Sequence, residues 1–144
     1  MNILLQCIIS YLGLLPYIYY LTDIYFLEYL NPMILLDMML YNTLLIFTFI
    51  GAINWDFSKG TIFFTIYGFI PSLLSFGIII FNILGFDQMS LFVYLISFLL
   101  IQLFIDYLVY LKLKTNSSII YYLRIPITLS LCLFLIVPLM IVPN

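Results

Sequence analysis

Five apolar blocks follow one another along this 144-residue chain, at about residues 3–21, 33–55, 61–84, 89–111 and 119–142. A helix needs roughly 20 apolar residues to cross the hydrocarbon core of a bilayer, and each block is close to that length. Together they use almost the whole chain. No soluble domain, linker, low-complexity segment or clear internal repeat is left over. The expected architecture is a single polytopic domain over residues 1–144, an all-α bundle of five transmembrane helices.

Composition closes off the soluble alternative. The chain is 67% hydrophobic and 7% charged, where a soluble domain carries about a quarter charged residues. Its mean hydropathy is +1.30, and a soluble fold of this length could not hide that much apolar surface. The net charge of -2 is spread out, with no basic face for nucleic acid and no acidic tail for a cationic partner. Nucleic-acid binding is excluded on that ground. Cys7 and Cys132 fall inside apolar blocks, without CxxC or metal-ligand spacing, and read as small buried hydrophobes.

The basic residues give an orientation. Lys59 follows the second block, Lys112 and Lys114 follow the fourth, and Arg124 lies in the first turns of the fifth. With five spans, all of them share a side with the N-terminus. Lys and Arg favour the compartment of synthesis, so the N-terminus is expected inside and the C-terminus outside. The N-terminus has no charged leader and no A-x-A-like cleavage site, so residues 2–21 read as a retained helix. An Arg-rich transit peptide is also missing, which argues against import from the cytosol. Abundant Ile, Phe, Tyr and Asn with almost no Ala suggest an AT-rich genome, organellar or of a reduced bacterium.

Local signals mark the ends and bends of the spans. Tyr17, Tyr19 and Tyr20 crowd the outer end of the first like an interfacial belt, and the loop over residues 23–31 holds only acidic charges. Asn31-Pro32 restarts the helix, Asn31 as N-cap and Pro32 at the first helical position. Pro71, with Gly68 and Gly77, predicts a bend in the third span, its freed carbonyl satisfied by neighbouring helices or by Ser72 or Ser75. Gly51, Gly68 and Gly77 are positions where helices can approach closely. Trp55 shares a face with Gly51 and is expected as an anchor at the inner interface.

One group of side chains stands out within the spans. Asp106 lies six residues before Lys112, about 9 Å below the inner surface at about 1.5 Å per residue. Arg124 enters the fifth span to a similar depth. Opposite charges at matched depth in consecutive antiparallel helices should pair, since either alone is costly in lipid. Gln102, four residues before Asp106, shares its helix face. Gln102, Asp106 and Arg124 thus form one expected inward-facing cluster, read either as an ion pair that locks helices or as a proton or ligand site. A thin continuation exists in Asp37, Asn42 and Asn82 toward the outer half, although Asp37 is close enough to its helix start to reach outer water.

The sequence contains no His, which removes bis-His haem ligation, His metal sites and His-assisted nucleophiles. HExxH, GxSxG and P-loop patterns are absent, as are paired carboxylates at one inner depth. Scattered serines in apolar helices ordinarily bond backbone carbonyls. No catalytic, cofactor-binding or metal-ligating residue is expected, and no enzyme activity.

Several short segments occur in a telling order: residues 13–16, Phe49-Ile50-Gly51-Ala52-Ile53-Asn54-Trp55, Pro71-Ser72-Leu73-Leu74, Gln102 with Asp106, and Tyr122-Leu123-Arg124-Ile125-Pro126-Ile127-Thr128. Taken together they resemble the small polytopic family called domain of unknown function 3429, whose animal members are known as transmembrane protein 69. The resemblance covers almost the whole chain. It implies a multi-span protein of bacterial inner membranes or mitochondria with no established activity. The chain departs from the family pattern at Asp56, where a small residue is common, and at Ser75-Phe76, where an aromatic residue often follows the Pro-Ser-Leu-Leu segment.

The leading expectation is a non-catalytic structural subunit or assembly partner of a larger inner-membrane (respiratory) complex, embedded in the lipid bilayer beside other transmembrane chains. Its rival is a small transporter or channel using Asp106 and Arg124. A membrane anchor for a quinone-reactive complex is a third reading, for which Trp55 with Asp56 offers a weak site.

Overall fold

The computed structural model describes residue 8 and residues 10–52, 62–113 and 120–141. Among them the chain is helical apart from short turns, with no strand. The elements are α1 (Leu15–Thr22), a π-helical turn (Asp23–Leu27), α2 (Pro32–Ala52), α3 (Ile62–Ile83), α4 (Gln88–Leu113), a second π-helical turn (Ile120–Arg124) and α5 (Ile125–Ile141). Four helical segments are long and apolar enough to cross a membrane, beginning at Pro32, Ile66, Gln88 and Tyr121.

Inside and outside are equally apolar. On α2, Leu35, Leu36, Met39, Leu40, Leu44 and Phe47 form a buried stripe at helical spacing, while Ile34, Met38, Leu45 and Phe49 face outward. Leu91, Phe92, Leu95 and Leu99 repeat the pattern on α4 against exposed Val93, Tyr94 and Ile101. A helix apolar all round belongs in lipid, because water would charge for every outward side chain. The chain is accordingly a membrane protein.

The first apolar block is not one continuous rod. Pro16 cannot donate to the carbonyl four residues back, and its ring crowds that carbonyl. The chain tightens to three-residue spacing instead, with Leu14 N donating to Tyr11 O at 3.0 Å and Tyr17 N to Leu14 O at 3.1 Å. Gly13 and Leu14 form a turn, and α1 is left with 8 residues. Helical winding then continues past the expected end near residue 21 through the π turn to Leu27, which carries Asp23 into the interior. Its carboxylate accepts from Leu30 N at 3.0 Å and closes the turn into α2, with Glu28 in the left-handed region.

The other ends are capped by local chemistry. Asn31 Oδ1 accepts from Met33 N at 2.9 Å, with Pro32 opening α2, as the sequence predicts. At the end of α3, Gly85 takes φ 81°, Phe86 N reaches Phe81 O at 3.1 Å and Gly85 N reaches Asn82 O at 3.0 Å. The Phe81 and Phe86 rings close this Schellman turn with centroids 4.9 Å apart. Asp87 then caps α4 by accepting from Ser90 N at 2.9 Å.

α2 packs most extensively on α3, and α4 on α5. Gly51 sets the first contact. A Cβ there would lie 2.7 Å from the Gly68 carbonyl oxygen and 2.7 Å from Pro71 Cγ, so the absent side chain is what lets the Pro71 ring and its helix come so close. Ser75 Oγ donates across to Leu44 O at 3.4 Å and accepts from Thr48 Oγ1 at 3.2 Å, so this serine joins two helices. Gly77 differs from Gly51: a Cβ would meet nothing within 4 Å.

Candidate functional site

Antiparallel alternation brings the end of α2, the start of α3, the end of α4 and the start of α5 to one level, at the end of the bundle nearest Lys112. Asp106 and Arg124 meet there. Arg124 Nη1 stands 3.6 Å from Asp106 Oδ2, and the residues are 5% and 6% exposed respectively. The separation is an ion-pair distance beyond hydrogen-bond reach. Arg124 Nη2 donates to the Ile50 carbonyl at 3.1 Å, adding α2 to the cluster. A cation near a helix C-terminus is also favoured by the backbone dipole.

Tyr67 completes the group. Its hydroxyl donates to Asp106 Oδ1 at 2.6 Å, a shorter approach than the 3.4 Å to the Gln102 carbonyl. Gln102 Nε2 in turn donates to the Tyr67 oxygen at 2.6 Å and lies 3.5 Å from Asp106 Oδ1. The expected grouping of Gln102, Asp106 and Arg124 is therefore present, with Tyr67 inserted between amide and carboxylate. Sequence reading missed Tyr67 because a tyrosine in an apolar span looks like lipid-facing or core bulk. The available signal was depth: Tyr67 lies five residues into α3, and Asp106 lies seven residues before the end of α4.

The arrangement is a buried tie. A carboxylate takes one short charge-assisted bond from a phenol and faces a guanidinium, which is itself held by a backbone carbonyl. α2, α3, α4 and the π-helical turn that leads into α5 all contribute to it.

A second polar group lies at the opposite end. Asp37 accepts from Gln88 Nε2 at 2.5 Å and from Asn82 Nδ2 at 3.2 Å, and Asn82 Nδ2 also reaches Tyr41 Oη at 2.8 Å. Asp37 is thus half-buried and held by amides of α3 and α4. Asn42, grouped with it in the sequence, is not part of this network. Between the two ends the interior is mostly apolar. Thr43 donates to Met39 O at 2.7 Å and takes the Tyr17 hydroxyl at 2.6 Å, which ties α1 to α2.

The remaining predicted positions resolve differently. Gly51 and Gly68 serve the α2–α3 contact within the chain, and Gly77 is open. Trp55, Asp56, Lys59, Lys114 and Cys7 lie outside the described residues. Cys132 is buried with a free thiol. Among the described residues, no three His, Cys, Asp or Glu side chains group as a metal site.

Comparison with protein-family profiles, curated proteins and solved structures finds no match to this chain.

Proposed function

We propose that the protein is a non-catalytic structural subunit or assembly partner of a larger complex in an energy-coupling membrane, a mitochondrial inner membrane or a bacterial cytoplasmic membrane. In this reading the chain crosses the bilayer five times, with its N-terminus inside, and the broken first segment supplies the fifth crossing.

The observation that carries the reading is the closure of the Asp106–Arg124 cluster. Among the described residues, Asp106 and Arg124 face one another, Tyr67 donates to the carboxylate and the Ile50 carbonyl holds the guanidinium, at one level of the bundle. A transport path needs polar groups continuing to the far side. Here the core between Asp106 and Asp37 is filled mainly by Met39, Leu40, Leu95 and Leu99, each no more than 1% exposed, and the buried hydroxyls of Thr43 and Ser75 within it are bonded to backbone carbonyls. Such a centre fixes helix positions and moves nothing. The outward apolar faces then serve lipid and neighbouring transmembrane chains. The membrane setting follows the resemblance to the domain of unknown function 3429 family and the AT-rich composition.

The test is gentle solubilisation of the native membrane followed by identification of co-migrating chains. A subunit travels in a hetero-complex. Migration alone, together with ion flux after reconstitution that disappears in Asp106→Asn, would replace this reading with transport.

A further inference from the structure

The N-terminal segment divides at Gly13 and Leu14, which form a turn before Pro16. Beyond that turn α1 is anchored twice. The Tyr17 hydroxyl pairs with Thr43 Oγ1 at 2.6 Å, and the Tyr17 ring stacks on Phe134 of α5 with centroids 5.4 Å apart. Before the turn the hold is lighter. Ile8, Tyr11 and Leu12 are exposed, and among the described residues there Tyr11 alone hydrogen-bonds to another element, its hydroxyl donating to the Tyr122 carbonyl at 2.9 Å.

Pro126 explains why that carbonyl is the acceptor. α-Helical winding pairs each carbonyl with the N–H four residues on, and residue 126, four after Tyr122, has no N–H to give. Proline near a helix start is normally tolerated, because the first N–H groups have no partner within the helix. Here α5 runs on directly from the π-helical turn Ile120–Arg124, so helical carbonyls do precede Pro126. Tyr11 supplies to Tyr122 the donor that Pro126 withholds. The same π turn ends on Arg124, so the bond also fastens the N-terminal segment to the turn that presents the guanidinium to Asp106.

This fastening opens easily. Tyr121 and Tyr122 are exposed in the position of interfacial tyrosines, where water can replace the Tyr11 hydroxyl. Its loss therefore exchanges one neutral hydrogen bond for another and leaves no carbonyl bare in hydrocarbon. We infer that residues 8–13 form a strap that swings on the Gly13–Leu14 turn and is latched to α5 by the Tyr11 hydroxyl on the Tyr122 carbonyl. Latched, the strap supplies Ser10 and Gly13 as one wall of a cavity whose other walls are α2 and the start of α5. Released, it uncovers the seam between those two helices. The strap requires only that the chain be embedded in a membrane, and so holds for a scaffold or a transporter.

The test is a distance measurement between spin labels at Leu12 and Leu129, both exposed, in the full chain in nanodiscs with Cys7 and Cys132 replaced. The wild type should show a major short distance and a minor long one. Tyr11→Phe should raise the ratio of long to short several-fold, up to about tenfold, as expected for one neutral hydrogen bond. In Pro126→Ala the restored N–H can serve Tyr122, so adding Tyr11→Phe to that variant should change the ratio much less. A control pair at the exposed Leu73 and Phe104 should keep one distance in every variant. An unchanged ratio in Tyr11→Phe would overturn the latch, and an equal change with and without Pro126 would overturn the part given to the proline. Displacement of the control pair along with the strap would mean that the bond holds the whole bundle, which would overturn the hinge.

Discussion

Tyr67 donates its hydroxyl to Asp106 at 2.6 Å and takes the Gln102 amide on the same oxygen, so one phenol joins α3 to α4 at the level where the π-helical turn before α5 brings in Arg124. Tyr67→Phe keeps the ring and removes both bonds. The variant should lose about 1–3 kcal/mol, since an Asp106 oxygen and the Gln102 amide each lose a buried partner. Unfolding in mixed micelles at increasing denaturing-detergent fraction reads the change. A wild-type midpoint would show that the phenol is not part of the tie.

The Asp106–Arg124 pair should behave as a unit. Asp106→Asn removes the charge that faces the buried Arg124 guanidinium, and Arg124→Gln removes the cation at 3.6 Å from the Asp106 carboxylate, with about 3–5 kcal/mol as the upper bound for breaking a fully buried pair. The double variant should recover part of that loss in a thermodynamic cycle. Strictly additive effects would mean that the two charges do not interact.

Gly51 and Gly77 should diverge. Gly51→Ala drives a methyl to within 2.7 Å of the Gly68 carbonyl and the Pro71 ring, and overpacking of this kind costs about 1–3 kcal/mol. Gly77→Ala meets open space and should be neutral or gain up to about 1 kcal/mol from helix propensity. Thermal unfolding of the two variants in one detergent makes the comparison, and equal losses would place the close approach elsewhere.

Cysteine labelling tests the five-crossing topology. In a background with Cys7 and Cys132 replaced, a cysteine at Gln88 should react with an impermeant reagent added outside, and one at Asn116 should not. The reverse pattern, or reaction at both, contradicts a five-crossing chain with its N-terminus inside.

Much of this fold was legible because in lipid each signal has few alternatives. Asn31-Pro32 marked the start of α2 because a side-chain acceptor and a missing donor suit only a first turn. Asp106 and Arg124 were matched because buried charges in apolar helices need each other. Tyr67 was hidden, since its character depends on which way the ring turns. The break before α1 and the burial of Asp23 were also hidden: Pro16 announced a bend, but not that the helix would run on as a π turn to Leu27. Gly51 reads as a point of close helix approach, and the space is taken by Pro71 of the same chain. Sequence shows that a helix can be approached closely and leaves open by whom.

The central claim is that this chain works as a structural member of a larger membrane complex. Native membranes dissolved in a mild detergent, resolved by native electrophoresis and analysed by mass spectrometry of the excised band, test it most directly. The account predicts that the chain migrates with other transmembrane proteins at a mass well above its own 16.9 kDa. Migration as a monomer or as a homo-oligomer under the same conditions would contradict it.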